Sequence, residues 1–389
     1  MQTTHATGGH MIGREPSPTV IERVEVYGYD VTYVHGTYVM SGDRRITSLA
    51  STIVRVVTAG GVDGFGEVCP LGSTYLPAFS GGARAAMAEL APAVVGSDVR
   101  SPADLGERLD RALMGHGYAK SAIDIACWDA LGKHVGLSVA ALLGGERQRS
   151  FPLYFAVPLG SRQEMAEYVD ARRAEGIHRF QLKLGADPYE DAARVRFVAD
   201  RADEDDVIIA DANCGWRVQD AVIAARLMND LDHVFYEQPC PTLEECLLVR
   251  RRTTLPMVLD EVITGIPALL RAHSERAMEA INLKVGRVGG LTRGKLMRDL
   301  CQELGLRMTI EDTWGGDVTT AAVAHLAAST APDALFTVSF MNDWVNEHVA
   351  GHQPRSEQGV GVLPGGPGLG IEVDLERLGS PVSVFTARD

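Results

Sequence analysis

The sequence predicts an α/β protein built on a closed (β/α) barrel, preceded by an α+β domain, and three observations carry that prediction. After "LLGGE", eight short apolar runs follow one another: "PLYFAV", "RFQLKL", "VIIAD", "HVFYE", "PMVLD", "AINLKV", "RMTIE" and "FTVSF". They recur at roughly 22 to 30 residues, the size of one strand plus one crossover helix. The segments between most of them are amphipathic and helix-like. Strands alternating with helices make a parallel sheet, and about eight of them close it into a barrel. A doubly wound open sheet is the competing architecture, but no GxGxxG follows the first strand.

Taken in order, residues 1–18 read as a flexible tail without the apolar core of a signal peptide. Residues 19–147 form the α+β domain. "TVIERVEVYGYDV" and "SLASTIVRVVT" are rich in β-branched residues, and "AGGVDGFGE" is a glycine-rich hairpin signal. From about Gly82 to Leu143 the pattern turns helical; in "AKSAIDIACWDALGKHVG" apolar residues recur at helical spacing and Gly136 marks the stop. The barrel is placed at 148–350, and 351–389 is a C-terminal segment.

Composition narrows the function classes. A hydrophobic fraction of 46% and a charged fraction of 23% are ordinary for a globular chain of 389 residues. The net charge of -14 argues against a nucleic-acid partner. No run of about 18 apolar residues suggests a membrane span. Six scattered cysteines without a CxxC pair suggest reduced thiols in a cytoplasm rather than a zinc site or disulfide framework.

Five of the eight runs end at or beside an ionisable residue: Lys183, Asp211, Glu237, Asp260 and Lys284. In a barrel the C-terminal strand ends meet at one mouth, where active sites sit. A single aspartate there is ordinarily the N-cap of the next helix. Three acidic strand ends in succession are different, because unpaired carboxylates in one mouth repel. A hard divalent cation with oxygen ligands, Mg²⁺ above all, relieves that repulsion. Lys183 and Lys284 interrupt apolar runs on the second and sixth strands, which lie across a barrel from one another. With a carboxylate substrate between them, one amine faces each side, an arrangement for removing a proton from one face and delivering one to the other. The metal would stabilise the enediolate formed when the proton beside the carboxylate is lost.

These residues resemble those of the enolase superfamily, in its muconate-lactonizing-enzyme-like subgroup, over nearly everything from Thr19 to Gly379. The resemblance implies a (β/α)7β barrel whose mouth is covered by the N-terminal capping domain, with the C-terminal segment returning to complete that domain. It implies metal ligands Asp211 in "IADANCGW", Glu237 in "FYEQPC" and Asp260 in "VLDEVI", with Lys183 and Lys284 as catalytic lysines and Mg²⁺ as cofactor. It also implies a homo-oligomer acting on a small-molecule carboxylate.

The chain departs from the subgroup at one point: where Lys-x-Lys is usual on the second strand, it has Gln181-Leu182-Lys183. That counts against muconate cycloisomerase, o-succinylbenzoate synthase and dipeptide epimerase. "CPLGSTY", "HGYAKSAIDIA", "FQLKLG", "LKVGRVGGL" and "EDTWGGD" resemble instead the branch containing 4-hydroxyproline betaine 2-epimerase and cis-3-hydroxy-L-proline dehydratase. This likeness implies Tyr75, Gln181, Asp312 and Trp314 as substrate contacts; an indole face such as that of Trp314 attracts a quaternary ammonium. The expected activity is a Mg²⁺-dependent racemase or epimerase of a proline betaine or hydroxyproline betaine. Dehydration of cis-3-hydroxy-L-proline by the same two lysines is the alternative, and both begin from the same enediolate.

Overall fold

A computed structural model describes residues 17–387; the tail expected at 1–18 lies, but for Ser17 and Pro18, outside the described residues. The N-terminal domain is an antiparallel sheet covered by helices. Its strands Ile21–Thr32, Ser48–Thr58 and Asp63–Val68 pair in sequence order, and Ser383–Thr386 pairs with the free edge of Ile21–Thr32. The hairpin between the second and third of these strands falls at "AGGVDGFGE", as the glycines predict. The helical stretch resolves into Ser80–Val94, Pro102–Ala112 and Gly117–Val135, the last ended by Gly136 in the left-handed conformation at φ 69°. That helix lies directly on the strand Asp63–Val68. A Cβ on Gly64 would stand 2.0 Å from the carbonyl oxygen of Ala126, and one on Gly66 1.9 Å from that of Ala122. Glycine is required at both positions by this close backbone approach.

The remainder is an eight-stranded parallel sheet in sequence order: β1 (Phe155–Val157), β2 (Arg179–Lys183), β3 (Val207–Asp211), β4 (Val234–Glu237), β5 (Met257–Leu259), β6 (Ala280–Lys284), β7 (Arg307–Glu311) and β8 (Leu335–Val338). The Tyr154 amide donates to the Val338 carbonyl at 3.0 Å and Leu153 bridges Val338, so the last strand returns to the first. Helices follow β1 to β7, whereas β8 leads into a short 3₁₀ turn, Met341–Trp344, which gives the (β/α)7β pattern. One expected strand is divided. Of "PLYFAV" only Phe155–Val157 belongs to the barrel, while Ser150–Pro152 pairs with Val360–Val362 in a separate small sheet. The chain changes partners at Leu153, whose amide still donates to Gly359 while that of Tyr154 turns to Val338.

Alternation along the strands sorts the barrel interior. Ile209, Val258, Ala280 and Phe336, with Val207 and Phe235 against them, form a small apolar plug separate from the main core. Continuing by two residues on the same faces leads to Asp211, Glu237, Asp260 and Asn282, and two more along β6 lead to Lys284, so each strand passes quickly from plug to polar mouth. The N-cap positions of the following helices fall on other residues. Thr242 makes a capping box for Leu243–Arg250, and Arg217 and Gly265 precede Val218–Met228 and Ile266–Ser274. Asp211, Glu237 and Asp260 are thereby free of the capping role.

Candidate active site

The register sets the charged strand ends side by side. Lys183 and Glu237 each stand opposite Asp211 across neighbouring strands, and Lys284 stands opposite Glu311. All five residues proposed from the strand ends are buried in the same mouth. Lys183 Nζ donates to Asp211 Oδ2 at 2.6 Å. Lys284 Nζ donates to Glu311 Oε1 at 2.8 Å and stands 3.2 Å from Asp260 Oδ2. Asp260 is gripped from its other side by Arg287, whose Nη2 donates to Oδ1 at 2.7 Å and Nη1 to the main-chain oxygen at 2.5 Å.

Among the described residues, no lysine or arginine forms an ion pair with Glu237. Gln181 Nε2 lies 3.0 Å from both of its carboxylate oxygens, and Asn282 Nδ2 donates to Oε1 at 2.7 Å. The two amides come from matching places: Gln181-Leu182-Lys183 on β2 and Asn282-Leu283-Lys284 on β6 repeat one amide-Leu-Lys pattern. Asn282 was not among the residues expected from the sequence, and that repeat is the signal that would have found it.

Of the other expected contacts, Tyr75 reaches down from the capping domain and donates to Glu261 Oε1 at 2.7 Å and Asp260 Oδ2 at 3.3 Å. Asp312 accepts from the amides of Gly286 and Thr313, each at 2.6 Å. Trp314 is 2% exposed and stands edge-on to Tyr33, Tyr38 and Trp344. Tyr75, Gln181, Lys183, Lys284, Asp312 and Trp314 all line one small cavity of about 30 Å³. Tyr38, Met40, Tyr154, Glu311 and Trp344 are among the other residues that line it, and none of these five was among the site residues expected from the sequence. A larger cleft of about 460 Å³ adjoins it at Asp312 and Thr313, between the capping loops and the ends of β5 to β7.

The electrostatics follow from packing six carboxylates (Asp211, Glu237, Asp260, Glu261, Glu311 and Asp312) against three cations (Lys183, Lys284 and Arg287) in a buried mouth. Burial, then the charges of Asp211 and Asp260, hold the Glu237 carboxyl well above the usual range. Burial, then Asp260 and Asp211, push Glu261 up to about 7. Burial acts on Asp260 in the same sense, but Arg287 and Lys284 outweigh it and hold that carboxyl at about 2. Both lysines are held above the ordinary amine value: burial opposes this, and Asp211 for Lys183 and Asp260 for Lys284 overcome it. Burial, with a smaller push from the charge of Glu311, raises Asp312 to about 6 against the backbone amides of Thr313 and Gly286.

As the side chains lie, no three His, Cys, Asp or Glu residues among those described stand close enough together to hold a metal. Each expected ligand is turned to a lysine, an arginine or an amide instead. The chemistry of the set nonetheless fits a hard divalent cation: Asp211, Glu237 and Asp260 end three adjacent strands, all are buried, and negative charge exceeds positive. Asn213 Oδ1, Glu261 Oε2 and Asn282 Oδ1 are buried acceptors without a partner in the same region.

An eight-stranded barrel with a capping domain, two lysines on opposite strands and three acidic strand ends defines an enzyme of the enolase superfamily. The chain belongs to that superfamily: residues 164–378 match the enolase C-terminal domain-like family, and residues 35–144 match the mandelate racemase / muconate lactonizing enzyme N-terminal domain. It is 42% identical over 94% of its length to cis-3-hydroxy-L-proline dehydratase of Roseibium aggregatum, all of whose length is covered. A crystal structure of a mandelate racemase/muconate lactonizing enzyme from Roseovarius nubinhibens superposes with a TM-score of 0.91 at 36% identity, covering 95% of this chain and 99% of that one. Another from the same organism, complexed with magnesium, superposes with a TM-score of 0.91 at 32% identity, covering 94% of this chain and 100% of the other. No helix among the described residues is long and apolar enough to cross a membrane.

Proposed function

We propose that this chain dehydrates cis-3-hydroxy-L-proline, removing the Cα proton and the 3-hydroxyl as water. The observation that carries the reading is the placement of Lys183 on β2 and Lys284 on β6, across the barrel from one another and lining one cavity. In the cis isomer the carboxylate and hydroxyl share one ring face, so the Cα hydrogen and the hydroxyl lie on opposite faces. Elimination then needs a base on one side and an acid on the other. One lysine takes the Cα proton as the neutral amine, a state it would reach once a bound cation drew away the carboxylate that holds its own proton in place. The Cα–Cβ double bond forms as the C3–O bond breaks, and the second lysine, as ammonium, protonates the departing oxygen to give water. The enamine left behind gains a proton at C3 to become the cyclic imine. Likeness to the Roseibium dehydratase along nearly the whole chain supports this choice over the epimerase expected from the sequence.

Asp211, Glu237 and Asp260 would hold Mg²⁺, as enolase-superfamily sites do, and the bound ion supplies positive charge to the substrate carboxylate as the Cα proton leaves. Gln181 and Asn282 orient Glu237, and Arg287 fixes Asp260. Trp314, Trp344 and Tyr38 wall the cavity against water. The test is incubation with cis- and trans-3-hydroxy-L-proline, followed by mass spectrometry. Loss of one water from the cis isomer is expected, at least about 100-fold faster than from the trans isomer, whose reacting groups share one face. No loss from the cis isomer would sink the proposal.

Epimerisation of a proline betaine is a second reading, favoured by the aromatic rings of Trp314, Trp344 and Tyr38 on the cavity, which suit a quaternary nitrogen. It predicts deuterium from solvent at Cα and a changing optical rotation with no loss of mass as water.

A further inference from the structure

Glu261 follows Asp260 directly, yet nothing in the mechanism gives it a task. It is 9% exposed. Its Oε1 accepts from Tyr75 Oη at 2.7 Å and from Asn213 Nδ2 at 3.1 Å, while its Oε2 is buried and accepts from nothing among the described residues. A carboxylate oxygen kept from both water and donors is costly, and such an atom in a folded protein calls for an explanation.

The two donors on Oε1 tie Glu261 to the proposed metal ligands. Tyr75 Oη also reaches Asp260 Oδ2 at 3.3 Å, and the backbone amide of Asn213 donates to Asp211 Oδ1 at 2.8 Å. Asn213 Oδ1 is a second buried acceptor without a partner. The nearby cations are engaged elsewhere: Lys183 on Asp211, Arg287 on Asp260, and Lys284 on Glu311 and Asp260. Among the described residues, none of these cations forms an ion pair with Glu261.

We infer that Glu261 is a fourth carboxylate of the divalent-cation site, its free Oε2 serving the cation or one of the cation's waters, with Asn213 Oδ1 beside it. This rests on the reading that Asp211, Glu237 and Asp260 hold that cation. A purely architectural role, anchoring Tyr75 and Asn213, is separable by mutation. Glu261→Gln keeps an acceptor oxygen for both anchors and removes the charge; Tyr75→Phe removes an anchor and keeps the charge.

The experiment is calorimetric titration of the metal-stripped full chain with MgCl₂ in the absence of substrate, with circular dichroism to confirm folding. Glu261→Gln is expected to weaken the Mg²⁺ Kd about tenfold or more, the scale on which partners around a metal act, and Tyr75→Phe by less than about threefold. Glu261→Asp, which keeps the charge, should fall between wild type and Glu261→Gln, and it carries the test if the glutamine variant does not fold. A Glu261→Gln protein within about twofold of wild type, or a Tyr75→Phe protein equally impaired, overturns the assignment of Glu261 alone. A wild type that binds no Mg²⁺ overturns the metal site with it.

Discussion

Replacing Gln181 by leucine is expected to weaken Mg²⁺ binding by one to two orders of magnitude while leaving the fold intact. Gln181 Nε2 stands 3.0 Å from both oxygens of Glu237. Without it, Oε1 retains Asn282 at 2.7 Å, and Oε2 retains no donor at all. A hydrogen bond to a charged group contributes about 1.5–3 kcal/mol. At about 1.4 kcal/mol per decade that amounts to roughly 10- to 150-fold in Kd. Leucine has a volume close to that of glutamine, so packing changes little. The loss also has a pH signature. Burial and the charges of Asp211 and Asp260 already hold the Glu237 carboxyl high, and losing donors to its ionised form raises it further. Proton and metal compete for the same oxygens, so lowering the pH from 8 to 6 should cost the variant more affinity than the wild type. Calorimetric Mg²⁺ titrations at three pH values measure both effects. An unchanged Kd accompanied by a tenfold rise in KM would refute the reasoning, because it would place Gln181 on the substrate carboxylate and not on Glu237.

Three further outcomes are expected. Lys183→Met and Lys284→Met should each lower turnover by about 10²- to 10⁴-fold; in D₂O the variant that retains the base should still exchange the Cα hydrogen without releasing water, and water loss at the wild-type rate in either variant contradicts the two-lysine mechanism. Gly66→Ala should lower stability by about 1–3 kcal/mol or more, since its Cβ would meet the Ala122 carbonyl oxygen at 1.9 Å and force the helix Gly117–Val135 outward; an unchanged Tm would show that the contact relaxes freely. Asp312, raised to about 6 by burial, keeps its proton over a range where the unfolded chain has released it, so stability should fall as pH rises from about 4 through 6 and level off above. Asp312→Asn should remove this dependence, worth up to about 3 kcal/mol, and identical Tm profiles from pH 4.5 to 7 for both proteins would exclude it.

The barrel was legible because its strands are short, apolar and evenly spaced, and because Lys183, Asp211, Glu237, Asp260 and Lys284 interrupt or end apolar runs where a surface charge has no reason to be. What pairs with what was not legible. That Gln181 would serve Glu237 depends on two strands separated by β3 both turning these side chains into the barrel interior, and on the reach of an amide there, which no local pattern states. Glu311 closes its run as plainly as Glu237 does, but its importance lies in standing opposite Lys284, a matter of register. Arg287 and Glu261 are ordinary loop charges in the sequence and become site residues only because the loops after β5 and β6 are neighbours. The division of "PLYFAV" escaped notice for the same reason: Val360–Val362, the partner of its flank, lies some two hundred residues downstream, beyond the barrel.

The strand Ser383–Thr386 completes the capping sheet by pairing Arg23 with Thr386 and Val26 with Ser383. During synthesis the sheet that begins with Ile21 therefore waits for its edge strand until the whole barrel has left the ribosome. Until then the backbone groups along one side of Ile21–Thr32 are exposed to any passing strand, including that of a neighbouring nascent chain. The lid over the mouth is thus begun before the barrel and sealed only after it.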